Sequence, residues 1–166
     1  MSRKEANLHF LLHSAALVED TVRRELRPLG LGPGQARVLD ALDRMGPSSQ
    51  VELAEECNIT AASMSTMTMR LLAAGVIERR QDPNERRSNI LRLSDSGIRL
   101  LKDVRAAWHA VDGIVQQAIG AEKAATLADL AHDLRDALGG RTPRARRAKR
   151  EKPKADVSSE RTDALT

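Results

Sequence analysis

Apolar residues recur at helical spacing at both ends of this chain, and the middle carries shorter patterns of another kind. From Glu5 to about Arg27, Leu8, Leu11, Leu12, Ala15, Val18, Val22 and Leu26 follow steps of three and four, which predicts a helix. Pro28 ends it. Phe10 and Leu17 add apolar surface outside that stripe, so burial against more than one partner is expected. Pro33 suits the first turn of a second helix, Gly34 to Met45, which would bury Val38, Leu39 and Leu42 and stop at Gly46. Near the other end, Ser94 can cap a long helix reaching about Ile119, with Ile98, Leu101, Val104, Trp108, Val111 and Val115 along one side. Gly120 breaks it. A last helix from Ala121 to Leu138 carries Ala124, Leu127, Leu130, Leu134 and Leu138 in register and ends at Gly139-Gly140.

The middle reads as two short helices and a hairpin. Ser49 followed by Glu52 is a capping box, and Val51, Leu53, Ala54 and Cys57 are expected on one apolar face behind it. Asn58 tolerates the left-handed conformation of a sharp helix exit. Thr60 is a good N-cap for the next helix, about Ala61 to Ala74, which stops at Gly75. Met64, Met67 and Leu71 should face the core. The opposite face shows Ala61, Ser63, Ser65, Thr66, Met69 and Arg70, small, hydroxylic and free of acid. Val76–Arg80 and Asn89–Leu93 alternate as half-buried strands do. Between them Asp82-Pro83-Asn84 favours a turn, with Arg86 and Arg87 beside it.

Helix, turn, helix and hairpin in that order make a helix-turn-helix with a β-hairpin wing. Its second helix has the shape and chemistry to enter a major groove, or its hydroxyls simply occupy a solvated surface. Two adjacent arginines at a hairpin tip suit the negative potential of a minor groove, and Asp82 and Glu85 are close enough in sequence to orient them. The plain alternative is a solvent-exposed, salt-bridged turn.

Q-x-E-L-A-E, then ITAASMSTMTMRLLAAGVIERR, D-P-N-E-R-R-S and L-R-L-S-D-S-G together resemble the MarR family of bacterial transcription regulators, co-linearly from about Gly32 to Gly97. The resemblance implies a mainly α fold with a small β-hairpin, a winged helix-turn-helix flanked by N- and C-terminal dimerisation helices. It implies a homodimer, commonly a repressor released by a small aromatic acid or by oxidation. It assigns DNA-binding roles to Thr60, Ala61, Ser63, Ser65, Thr66, Met69 and Arg70 on the recognition helix, and to Asp82, Asn84, Arg86 and Arg87 on the wing. The expected partner is double-stranded DNA with a pseudo-palindromic operator. One departure stands out: Arg70 is the single basic residue on the recognition helix.

At 166 residues the length suits one domain with a real core. The expected organisation is a winged-helix and dimerisation domain over 1–140, with its reading unit at about 47–97 and dimerisation helices at about 5–27 and 98–138. The terminal helices are too few to bundle alone, so interlocking with a second chain is expected; an intrachain three-helix layer is the alternative. The net charge of +4 is unevenly spread. The segment 141–166 holds nine Lys/Arg and four Asp/Glu, leaving 18 basic and 19 acidic residues elsewhere. Such a basic tail is expected to be disordered, touching phosphate loosely or merely solvated. No stretch approaches the roughly 20 apolar residues of a membrane span, no signal-peptide pattern opens the chain, and one Cys fits a reducing compartment, so a cytoplasmic protein is expected.

No nucleophile–base–orienter set, phosphate loop or zinc-site spacing is visible, so neither an enzyme nor a cofactor is expected. Cys57 reads as a small buried thiol; a redox-responsive regulator using it is an alternative that needs an exposed, low-pKa thiolate. For a small anionic effector, an aromatic or acyl carboxylate, Ala36 is the expected opening, since relatives often carry a bulky aromatic there. Arg37 beside it could meet the carboxylate, or pair with Asp40 or a Glu at the surface. His9 and His13, one helical turn apart, and Trp108 are further candidates for ligand contact, or polar interface and packing residues. A winged helix that docks protein and does not read DNA is the remaining alternative.

Overall fold

A computed structural model describes residues 7–81 and 89–140. The element order is α1 (Asn7–Leu26), a 3-10 turn (Arg27–Leu29), α2 (Pro33–Met45), α3 (Gln50–Cys57), α4 (Ala61–Ala73), β1 (Ile77–Gln81), β2 (Asn89–Leu93), α5 (Asp95–Ile119) and α6 (Ala121–Ala137). The expected mainly α, winged-helix architecture is what forms.

Local chemistry sets the boundaries. Ser49 Oγ accepts from the Glu52 amide while the Glu52 carboxylate accepts from the Ser49 amide, so α3 opens on a reciprocal cap. Asn58 ends α3 at φ 52°, the left-handed conformation that turns the chain sharply into α4. Thr60 Oγ1 then accepts from the Ser63 amide at 3.2 Å. Ser94 caps α5 by accepting from the Gly97 amide at 3.1 Å and donates to the Gly75 carbonyl at 2.7 Å. That pair fastens the start of α5 to the end of α4.

β1 and β2 pair antiparallel, from Ile77 opposite Leu93 to Gln81 opposite Asn89. Ser48 adds a short third rung by exchanging backbone hydrogen bonds with Leu91 at 3.0 and 2.8 Å. The wing is thereby anchored ahead of α3 as well as behind α4. The core lies between these elements: Val38, Leu39 and Leu42 of α2, Leu53 of α3, Met64 and Leu71 of α4, Leu91 of β2, and Leu101 and Val104 of α5. Leu26 closes it from the end of α1.

Three expectations about facing change. Val51 is 64% exposed, because it stands on the side of α3 opposite Leu53, Ala54 and Cys57. On α4 Met64 and Leu71 are fully buried and Met67 packs half-buried against the core, as expected, but Thr68 joins them as a fully buried side chain. Ile98 is exposed, lying well round the helix from the Leu101–Val104–Trp108–Val111 side of α5. The terminal helices differ more broadly. Leu8, Phe10, Leu11, Leu12, Leu17 and Val18 of α1 stand exposed on the single chain, as do Leu127, Leu130 and Leu134 of α6. α1 packs along α5, and α6 folds back on it, yet neither contact covers these residues.

Candidate nucleic-acid interface

α4 presents its outward face because its inward one is fully engaged. Met64, Thr68 and Leu71 are buried, and Gln50 at the start of α3 donates to Thr68 Oγ1 at 2.6 Å, fixing the two helices side chain to side chain. The row diametrically opposite is Ala62, Thr66, Met69 and Ala73, all exposed. Ser65 and Arg70 flank it, also exposed, and no acidic residue occurs on the helix. Thr60, Ala61 and Ser63 are exposed at its N-terminus.

The hydroxyls on this helix are largely tied to the helix itself. Thr60 donates to Ser63 Oγ at 3.0 Å and accepts from its amide. Thr66 donates to the Ala62 carbonyl at 3.1 Å. These bonds consolidate the first two turns and leave methyl groups prominent on the outside. Ala62 and Ala73 belong to the outward row although the sequence reading passed over them; their spacing of four and seven from Thr66 was the available signal.

The hairpin contributes cations of its own. Arg79, Arg80 and Arg92 are exposed on β1 and β2. Glu78 accepts from Arg92 at 2.7 Å across the strands and from Arg80 at 3.2 Å. The Arg92 hydrogen bond, with help from Arg80, holds the Glu78 carboxyl below the usual range despite a small opposing effect of burial. Asp82, Asn84, Arg86 and Arg87, singled out at the tip, lie outside the described residues, and so does the tail 141–166.

Behind the outward face of α4, ion pairs join the helices. Arg44 of α2 donates to Asp40 at 2.9 Å and to Glu56 of α3 at 2.8 Å. Arg105 of α5 donates to Asp40 at 2.8 Å and to Asp43 at 3.0 Å. Burial alone would raise the Asp40 carboxyl, but the hydrogen bonds from Arg105 and Arg44 outweigh it and hold it low. α5 and α3 are thus linked through one face of α2.

The residues considered for an effector do not converge. Ala36 is wholly buried in the core and borders no open space. Arg37 is exposed and donates to the Cys57 carbonyl at 3.0 Å, capping the end of α3 rather than pairing with Asp40. His9 and His13 are exposed on α1 with stacked rings, their centroids 6.2 Å apart. Trp108 is half-buried against the core. A shallow cleft of about 530 Å³ lies elsewhere, walled by Leu17, Asp20, Thr21, Arg23, Arg24 and Arg27. Cys57 is buried, and burial pushes its thiol above the ordinary range although the Arg37 charge pulls partly the other way. That environment opposes the thiolate a redox sensor needs. Among the described residues no group of His, Cys, Asp or Glu is placed to hold a metal ion, and no helix is long and apolar enough to cross a membrane.

Comparison with known proteins agrees with this geometry. Residues 29–88 match a family model described as the MarR family. An HTH-type transcriptional regulator of Bacillus subtilis, YcgE, itself uncharacterized, is 30% identical over 89 residues, covering 54% of this chain and 52% of its own length. The chain therefore spans about half the length of that relative. The transcriptional repressor CouR, bound to a 23-mer DNA duplex, superposes with a TM-score of 0.73 at 23% identity, covering 78% of this chain and 92% of its own. Apo MarR from E. coli superposes at 0.70 with 21% identity, covering 79% and 98%.

Proposed function

We propose that this chain, which belongs to the MarR family through its winged helix, is a homodimeric, sequence-specific DNA-binding transcription regulator acting as a repressor. The observation that carries this reading is α4: a capped helix, clamped by its buried side, whose exposed face is free of acid and flanked by Ser65 and Arg70. Such a helix fits a major groove, while the exposed Arg79, Arg80 and Arg92 of the hairpin add cations that could meet phosphates. Thr60, Ala61, Ser63, Ser65, Thr66, Met69 and Arg70 are its proposed contacts on this helix. Asp82, Asn84, Arg86 and Arg87 keep that role from the sequence alone.

The exposed apolar residues of α1 and α6 support the homodimer. Six large apolar side chains on α1 and three on α6 stand open on the single chain, more than a monomer ordinarily leaves uncovered along two helices. A two-fold partner would bury them and set two α4 helices facing the same side of a duplex.

Release of the repressor is assigned to a small carboxylate. The cleft supports a place for it better than Ala36 does through Arg24 and Arg27, since guanidinium groups bind carboxylates in forked geometry, while Arg23 is held by Glu19 and Asp20. Operator and ligand would then weaken each other by the same factor.

Gel shifts on the duplex immediately upstream of the chain's own gene test the main reading. The expected result is a discrete complex that survives excess unrelated DNA and weakens steeply with salt. A complex removed equally well by unrelated DNA would contradict sequence-specific regulation. Benzoate, as probe, should dissolve the complex, and Arg24→Ala should leave DNA binding intact while removing that response.

A further inference from the structure

The outward row of α4 is chemically unusual for a helix set to read bases. Ala62, Thr66, Met69 and Ala73 lie opposite the buried Met64, Thr68 and Leu71, and Met69 is 62% exposed. The hydroxyl proton of Thr66 is engaged by the Ala62 carbonyl, so what Thr66 has left to offer a base edge is chiefly its methyl group. Thr60 and Ser63 are likewise joined to each other. Polar groups flank this row rather than occupy it: Ser65 on one side, Arg70 on the other. Arg79, Arg80 and Arg92 of the hairpin supply positive charge that complements a polyanion.

In the major groove, one base carries an apolar substituent, the C5-methyl of thymine, and small apolar side chains are its natural contacts. We infer that Ala62, Thr66 and Met69 of α4 recognise thymine methyl groups on successive base pairs, with Arg70 and the hairpin arginines supplying phosphate contacts. This rests on the DNA-binding reading above and specifies how that site discriminates. Specificity then comes mainly from fit to methyls and little from bidentate hydrogen bonding, which is why a single arginine suffices on the helix.

The test exchanges thymine for deoxyuridine, which keeps every hydrogen-bonding group and removes only the methyl. A duplex recovered by selection from a random-sequence pool is resynthesised with uracil at each half-site thymine in turn. The dissociation constant should rise about fourfold for each contacted methyl, the loss corresponding to one apolar carbon brought back into water. Thr66→Ser, which keeps the hydroxyl bond and loses the methyl, should weaken binding to the thymine duplex by a similar factor and become indifferent to uracil at one position. Thr66→Val should retain that sensitivity. Tight binding of the all-uracil duplex would overturn methyl recognition and leave DNA binding standing. Recovery of no preferred duplex would overturn both, and would leave this apolar row as a surface for protein.

Discussion

At the scale of single residues, a few positions carry constraints that the rest of the fold leans on. Gly97 is the sharpest. A Cβ there would overlap the Val76 carbonyl oxygen, a backbone atom that cannot swing away, at the point where α5 meets the wing. Gly97→Ala should therefore destabilise the protein by about 2–3 kcal/mol, the range for forced overpacking, seen as a lower urea midpoint. Cys57 carries a different constraint. Its thiol is raised by burial, so the native state favours the protonated form. The resulting stabilisation is present below the ordinary thiol value of 9.0 and fades as pH climbs through the higher folded value. Iodoacetamide at pH 8 should modify native Cys57 on the order of tenfold more slowly than the urea-unfolded chain. Equal rates would show that the thiol is open. Thr68 illustrates what sequence alone conceals: a hydroxyl residue holds a fully buried place on α4 because Gln50 and its own helix satisfy it, although the apolar periodicity assigned it to neither face.

At the scale of elements, the helix ends were legible and the facing of side chains was less so. Caps are local: Ser49 with Glu52, Asn58, Thr60 and Ser94 act within a few residues, so each boundary was written in a short stretch. Facing is settled by neighbours far along the chain. Val51 and Ile98 are apolar and were expected on the buried stripes, yet among the described residues no element covers them, and both are exposed. Ala36 shows the same limit, since a small residue reads equally as an opening or as close packing, and here α2 is packed tight. The ion network on α2 was invisible for the same reason, Arg105 reaching Asp40 from 65 residues away. It yields its own expectation. Glu56 is almost wholly buried and pairs with Arg44, so Arg44→Ala takes a cation from both Glu56 and Asp40 and should cost about 3 kcal/mol. Arg105→Ala should cost under about 1 kcal/mol, because its guanidinium is well exposed. Asp40, depressed in the folded state, contributes stability that is complete above its ordinary value of 3.8 and is lost as pH falls below it. Denaturant midpoints across pH 2–6 should show that loss, and Arg105→Ala should shrink it.

At the scale of the whole molecule, the single chain holds a finished winged helix and two unfinished helices. The winged helix has a closed core, a wing anchored through the Ser48–Leu91 bridge, and an α4 fixed by Gln50 and capped by Thr60. The helices leave apolar rows that only another surface can cover. The proposed two-fold dimer would cover those rows and duplicate the winged helix in one step, so the DNA recognition it implies is bipartite. Sedimentation equilibrium should give a dimer at micromolar concentration, and Leu12→Glu with Leu130→Glu should release monomers that keep their helical content but bind DNA far more weakly. The most direct measurement is selection from a random duplex pool followed by hydroxyl-radical footprinting of the preferred sequence. The expected result is an inverted repeat whose half-sites lie about 10 base pairs apart, protected symmetrically on one face of the duplex. A single unrepeated site protected at full affinity, or no preferred sequence at all, would contradict it.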